Sequence, residues 1–292
     1  MTALREVVLR SEEMEVVILP DIGGRIHRIR AFGRDILRTP DDPAVHAVEP
    51  FLWGANVMSP WCNRAAPGTT VLAGREVTLA ANFPDGTAIH GLVSSAHWSQ
   101  RSNGDLAFVG GGGGWPWAFE VSQTASLSGT TLTLEYRVRN LDDAAMPAGI
   151  GLHPWFRRPV EVRLPADAVY STNVDPPLHS EGVTGSRDLR SLAPPAGGLD
   201  DTWTQLSEPR VELVWPESGI HATLEVETDA GLLVAVATPP AFDAIAVEPQ
   251  THGPYPFRRL ANGEPDPVAL LSPDASMRLG LRVTVRHPSE PA

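Results

Sequence analysis

The sequence predicts an all-β protein built on a large antiparallel sheet system, and two observations carry the prediction. First, 28 Pro and 26 Gly are spread along the 292 residues and no stretch shows helical periodicity, so many short strands broken by turns fit better than helices. Second, two distant segments alternate with period two. In 131–139, Leu132, Leu134, Tyr136 and Val138 alternate with Thr133, Glu135, Arg137 and Arg139. In 277–285, Met277, Leu279, Leu281, Val283 and Val285 alternate with Arg278, Gly280, Arg282 and Thr284. Each has one apolar and one polar face, as strands of an antiparallel sheet do.

The elements follow in order. Strand-like pieces at 7–9 and 15–19 precede a Gly23-Gly24 turn and a further strand. Residues 40–50 read as a polar, proline-containing loop, and 70–80 as a hairpin around Gly74. The run 110–114 is all glycine and reads as a flexible loop. It is not a phosphate loop, because no GKS or GKT follows. Trp115 opens a strand in which Trp117, Phe119 and Val121 share a face. Residues 165–200 are rich in Pro, Gly, Ser and Asp and read as long loops; 211–215 and 222–238 return to strands.

Bulk composition excludes several classes. With 42% hydrophobic and 20% charged residues, the chain is an ordinary globular one, long enough for one large all-β domain or two smaller ones, a single domain over 1–292 being the expectation. A formal net charge of -12 argues against nucleic acid or an anionic membrane as partner. Cys62 is the single cysteine, so no internal disulfide can form. Arg5 and Glu6 stand where a secretion signal would carry its apolar core, and no apolar run of about 18 residues occurs, so a cytoplasmic location is expected.

Five segments place chemistry-bearing residues at expected strand ends and turns. Residues 59–68, SPWCNRAAPG, set Arg64 after Trp and Asn; a guanidinium fork suits hydroxyls or a carboxylate, and equally one of the surplus acids. Residues 89–93, IHGLV, place His90 before a glycine. Residues 151–156, GLHPWF, place His153 before Pro and two aromatics. Residues 199–203, LDDTW, hold the paired acids Asp200 and Asp201. The last, 247–257, reads VEPQTHGPYPF. There an apolar segment ends at Glu248, and Pro249, Gly253, Pro254 and Pro256 imply a stiff loop rather than a helix. A carboxylate held this way suits a general base; the competing reading is a strand-end salt bridge. The two histidines could likewise be core groups satisfied by hydrogen bonds. Eight Trp suit packing against sugar C–H faces as well as core filling.

In this order, and together with the tail 270–285, these segments resemble the aldose 1-epimerase (mutarotase) family, its bacterial branch in particular. The resemblance implies a large antiparallel β-sandwich of the galactose mutarotase-like type with a sugar cleft on one face. It implies Glu248 as the base at the anomeric hydroxyl and His153 as the acid at the ring oxygen. His90, Arg64 and Asp200 would then bind the sugar. The partner would be a small aldose, a phosphorylated sugar being an option that Arg25, Arg157 or Arg258 could serve, and the protein a monomer or homodimer. Only protons move, so no cofactor or metal is required. His153 is expected to be protonated and Glu248 ionised, each favouring the other's charge. Leu92, Leu152 and His252 depart from the family pattern, and His252 and Tyr255 are the first places to look for sugar specificity. Three other readings compete: a non-catalytic sugar-binding protein, a metal-dependent β-sandwich enzyme using His90, His153 and Glu248, and a glycoside hydrolase. The metal reading lacks a closely spaced HxH or HxD pair, and the hydrolase reading lacks an evident carboxylate pair.

Overall fold

The computed structural model describes residues 4–171 and 179–287. Residues 1–3 of the N-terminal stretch and 172–178 of the expected 165–200 loop lie outside them. Two large sheets, of eleven and eight strands, dominate, and every strand pairing in them is antiparallel. The two alternating segments are direct neighbours in the eight-stranded sheet. Thr131–Asn140 pairs with Ser276–Arg286, with Leu134 opposite Leu281 and Tyr136 opposite Leu279. Their apolar rows meet the inner face of the larger sheet in one core. Val121, Leu134, Leu224 and Leu281 from one side pack in the same cluster as Val57, Phe156, Val234 and Val247 from the other. Burying each such side chain stabilises the fold by about 1.5–3 kcal/mol. This is the expected β-sandwich.

The middle of the larger sheet carries five strands in the spatial order Ala55–Met58, Gly151–Arg157, Ala244–Gln250, Leu233–Ala237, Asp200–Leu206. Period two sorts their side chains: Ile245 and Val247 enter the core, while Ala244, Ala246 and Glu248 face the other way.

Several local expectations are corrected. Glu248 and His153 are not at strand ends; each lies inside a strand, followed by a proline that is itself in the strand. Residues 40–50 contain a short helix, Val45–Val48, and the strand Leu106–Gly112 runs into the glycine run, where Gly110 pairs with Phe119. The expected 165–200 loop contains the strands Ala166–Tyr170 and Glu181–Gly182. The stiff loop after Glu248 ends in a helix, Pro256–Asn262. Pro256 opens it, where its missing N–H costs nothing, and Gly263 closes it in a left-handed conformation. A seven-residue helix is too short to display periodicity, so only these two punctuating residues marked it. Among the described residues, no helix is long and apolar enough to cross a membrane.

Buried histidines tie the fold to pH. His27 Nδ1 and His46 Nε2 are 2.9 Å apart, and burial lowers their pKa values from 6.5 to about 4 and about 2; burial lowers His252 to about 4. Below pH 6.5 the unfolded chain therefore takes up protons that the folded chain refuses. Stability is expected to be fully present above pH 6.5 and to fall as pH drops toward about 4. A melting temperature unchanged between pH 7 and 4 would contradict this assignment.

Candidate active site

The core-distal face of the five central strands is roofed by loops to form a cleft of about 380 Å³. The pairing of Gly151–Arg157 with Ala244–Gln250 aligns Gly151 with Gln250 and Trp155 with Ala246, a register that sets His153 opposite Glu248. The recorded pairs skip residues 152–154, where neither Pro154 nor Pro249 offers an N–H. The two side chains meet in this gap, His153 Nε2 lying 3.2 Å from Glu248 Oε1. Glu248 is in turn aligned with Ala235, and Trp155, Ala246, Ala237 and Asp200 form the next row across the sheet. The alanines leave the floor of the cleft open.

The opposite wall comes from the two short segments that hold Arg64 and His90. Arg64–Ala65 pairs with Ala88–Ile89. His90 follows in a left-handed conformation (φ 60°) and Gly91 in another (φ 73°). A Cβ on Gly91 would stand 2.0 Å from the Ser59 carbonyl oxygen, so this close crossing admits only glycine. The Asn63 N–H donates to His90 Nδ1 (3.2 Å), which puts the proton of neutral His90 on Nε2. The His90 and His153 rings meet edge to face, with centroids 5.0 Å apart. Arg64 bridges two carboxylates, donating to Asp85 Oδ2 (2.8 Å) and Asp200 Oδ2 (3.2 Å). All five residues expected at the site, Glu248, His153, His90, Arg64 and Asp200, thus line one cleft.

Period two separates the paired acids. Asp200 faces the cleft, while Asp201 points the other way, is 3% exposed and pairs with Arg187 (2.9 Å). One expectation fails. His252 is buried outside the cleft, where its Nε2 accepts from the Cys62 N–H (3.0 Å) and its Nδ1–H donates to the Gly253 carbonyl (2.8 Å). It links the Arg64 loop to the segment after Glu248. Tyr255 lines a neighbouring cavity with Phe257 and Arg258. Sequence reading also missed Asp85 and an aromatic wall of Phe51, Phe83, Trp155 and Phe242. Trp155 was findable, because it lies two residues beyond His153 and so shares its face. Phe51 gives no such signal. It is positioned through its loop: buried Arg25 donates to the Trp53 and Pro50 carbonyls, and Trp155 Nε1–H to the Phe51 carbonyl.

Burial presses the titratable groups of the cleft toward their neutral forms, against the expected ion pair. It lowers His153 to about 3, raises Glu248 well above 4.5, and lowers His90 well below 6.5. The His153–Glu248 pair carries one exchangeable proton whether written neutral or as ions. Desolvation favours the neutral form of each partner, His153 without its proton and Glu248 with it. His90, His153 and Glu248 each offer one ligand atom within 4.8 Å of the others, so the same trio could also gather round a cation.

A family model described as aldose 1-epimerase matches residues 5–264. The chain belongs to the aldose 1-epimerase family. It is 27% identical over 220 residues to the uncharacterized protein YphB of Escherichia coli strain K12, covering 70% of this chain and 75% of that one. The fold is similar to that of a galactose mutarotase-like protein from Clostridium acetobutylicum, with a TM-score of 0.82 at 17% identity over 98% of both chains. It is also similar to a GalM/aldose epimerase homologue from C. elegans, with a TM-score of 0.79 at 15% identity over 98% of this chain and 99% of that one.

Gly91→Ala is expected to destabilise the protein by more than about 1 kcal/mol and to displace His90, since it adds both a clash and a disfavoured backbone. Chemical denaturation together with the His90 ring signals in an NMR spectrum would check it. An unshifted midpoint would show that the crossing at Ser59 is looser than described.

Proposed function

We propose that the protein is an aldose 1-epimerase, interconverting α and β anomers by opening and closing the pyranose ring. The observation that carries the reading is the His153–Glu248 pair, 3.2 Å apart and buried at the floor of a cleft. Ring opening needs one group to take the O1 proton and another to give a proton to O5. Both oxygens are bonded to C1, so two groups a hydrogen-bond length apart can serve both.

In this reading the resting proton passes from Glu248 to His153 once sugar hydroxyls bring hydrogen bonds to the carboxylate, with the Arg64 charge favouring the same ionised form. Glu248 then takes the proton from O1 while His153 protonates O5. The C1–O5 bond breaks and leaves the open-chain aldehyde. Rotation about C1–C2 presents its other face, and the same two groups close the ring with roles exchanged. Neutral His90 offers its Nε2–H beside His153 as a donor near the ring oxygen, and Arg64 with Asp200 binds hydroxyls. Each half-reaction moves protons only, so the cycle needs no metal.

The reading is tested by proton NMR of the anomeric signals, or polarimetry, on freshly dissolved α-aldoses. Glu248→Gln and His153→Asn are each expected to lower kcat by about 10²–10⁴-fold with a smaller effect on KM. If either variant equilibrates anomers at the wild-type rate, the assignment of that residue is wrong. Activity is expected to survive exhaustive chelation. Stoichiometric bound metal, with activity lost to chelator, would favour the cation reading of the same three side chains.

The pH profile follows from the shared proton. A second proton must enter His153, held down at about 3, and the last must leave Glu248, held well above 4.5. kcat/KM is therefore expected to show no acid limb at the ordinary histidine value of 6.5. It should decline only in strong acid and, on the alkaline side, through a pKa above the usual carboxylate value. A profile that rises through 6.5 as a solvent-like histidine titrates would contradict the burial of this pair.

A further inference from the structure

We propose that Trp155 and Phe242 form an apolar subsite for the C5 end of the sugar, and that the preferred substrates are aldoses carrying hydrogen or methyl there. These are aldopentoses and 6-deoxyaldohexoses, as opposed to sugars with a C6 hydroxyl or phosphate. The inference rests on the assignment of Glu248 to O1 and His153 to O5.

That assignment orients the ring. O5 joins C1 to C5, so the group that touches O5 fixes the side on which C5 lies. C5 falls on the side of His153, and the C2–C4 hydroxyls fall toward Arg64 and Asp200 across the cleft. Trp155 occupies the C5 side. It is two residues beyond His153 on the same face, with ring centroids 5.1 Å apart, and Phe242 packs on it at 5.4 Å. Leu52, Pro239 and Pro240 line the cleft beside them.

The polar side chains lining the cleft are Asn63, Arg64, His90, His153, Asp200 and Glu248, and none comes from the segments bearing Leu52, Pro239 or Phe242. Two polar groups beside that wall have partners within the protein. Trp155 Nε1–H donates to the Phe51 carbonyl (2.6 Å). The Arg38 guanidinium lies over Trp53 (3.4 Å) and Phe242 (4.6 Å), and donates to Asp243 Oδ1 and the Leu52 carbonyl (both 2.8 Å). A C6 hydroxyl directed at this wall loses its water without gaining a side-chain partner, whereas a methyl group or hydrogen gains contact.

A phosphate fares worse. Arg25 is spent on backbone carbonyls and is fully buried. Arg157 lines a separate cavity with Arg158 and Trp215, and Arg258 binds Glu264 (3.1 Å). Arg64 is the one arginine lining the cleft among the described residues, and it already bridges two carboxylates.

The test compares sugars that differ at C6 alone. Anomer interconversion rates would be measured by NMR for D-fucose against D-galactose, D-xylose against D-glucose, and glucose 6-phosphate against both. kcat/KM is expected to be about tenfold or more higher for the first member of each pair, with glucose 6-phosphate slowest. Phe242→Asn, checked for an intact melting transition, is expected to raise turnover of D-galactose relative to D-fucose by about tenfold. Equal or higher rates with D-galactose, or a preference for the phosphate, overturn the subsite while leaving the epimerase reading intact. A folded Phe242→Asn protein with the wild-type ratio also overturns the subsite. If no sugar equilibrates faster with the protein than without it, both readings fall.

Discussion

The antiparallel pairing of Gly151–Arg157 with Ala244–Gln250 is the constraint on which the cleft depends. Its register puts an imidazole and a carboxyl side by side in the middle of an eleven-stranded sheet, where both are buried. A slip of one residue would turn His153 and Glu248 into the core and bring Leu152 and Val247 to the surface, so the hydrophobic pattern itself holds the register. Pro154 and Pro249 flank the His153–Glu248 level on opposite strands, one step to either side of it, which leaves the two side chains in a gap between otherwise bonded strands. Because both groups are buried, they behave as one proton-carrying unit rather than as an acid and a base titrating separately.

The loops complete what the sheet begins. His90 and Arg64 reach the cleft from segments outside the large sheets, and three contacts hold those segments in place. Gly91 crosses the Ser59 carbonyl, His252 accepts from the Cys62 N–H, and Asp85 with Asp200 clamps Arg64. Arg25 does the same for the loop that carries Phe51 and Leu52. The result is an asymmetric cleft, with the titratable and charged groups along the floor and one side, and aromatics with prolines along the other. The net charge of -12 has a local counterpart here, since the one arginine lining the cleft among the described residues is neutralised by two acids.

Much of this was legible residue by residue. Ordered motifs pointed to Glu248, His153, His90, Arg64 and Asp200, and alternation identified the two long strands that pair at the heart of the smaller sheet. Other features escaped for physical reasons. Prolines after His153 and Glu248 read as strand ends because proline rarely sits inside a sheet, and here it does so where a ladder is open. The Pro256–Asn262 helix is two turns long and shows no period. His252 lies close to Glu248 in sequence, yet the chain turns away after Gln250 and carries it out of the cleft. Asp85 and Phe242 reach the site from turns whose composition looks like any other turn.

The sequence by itself determined which residues are present, which face of each strand is apolar, and which family the motifs resemble, because these are written in side-chain chemistry and period-two order. Only the tertiary structure decided that His153 and Glu248 lie 3.2 Å apart, that burial presses each toward its neutral form, and that Trp155 and Phe242 stand together on one side. Each of these depends on distance and on exclusion of water. Both are set by how strands far apart in the chain come into register, and neither is encoded in any one segment.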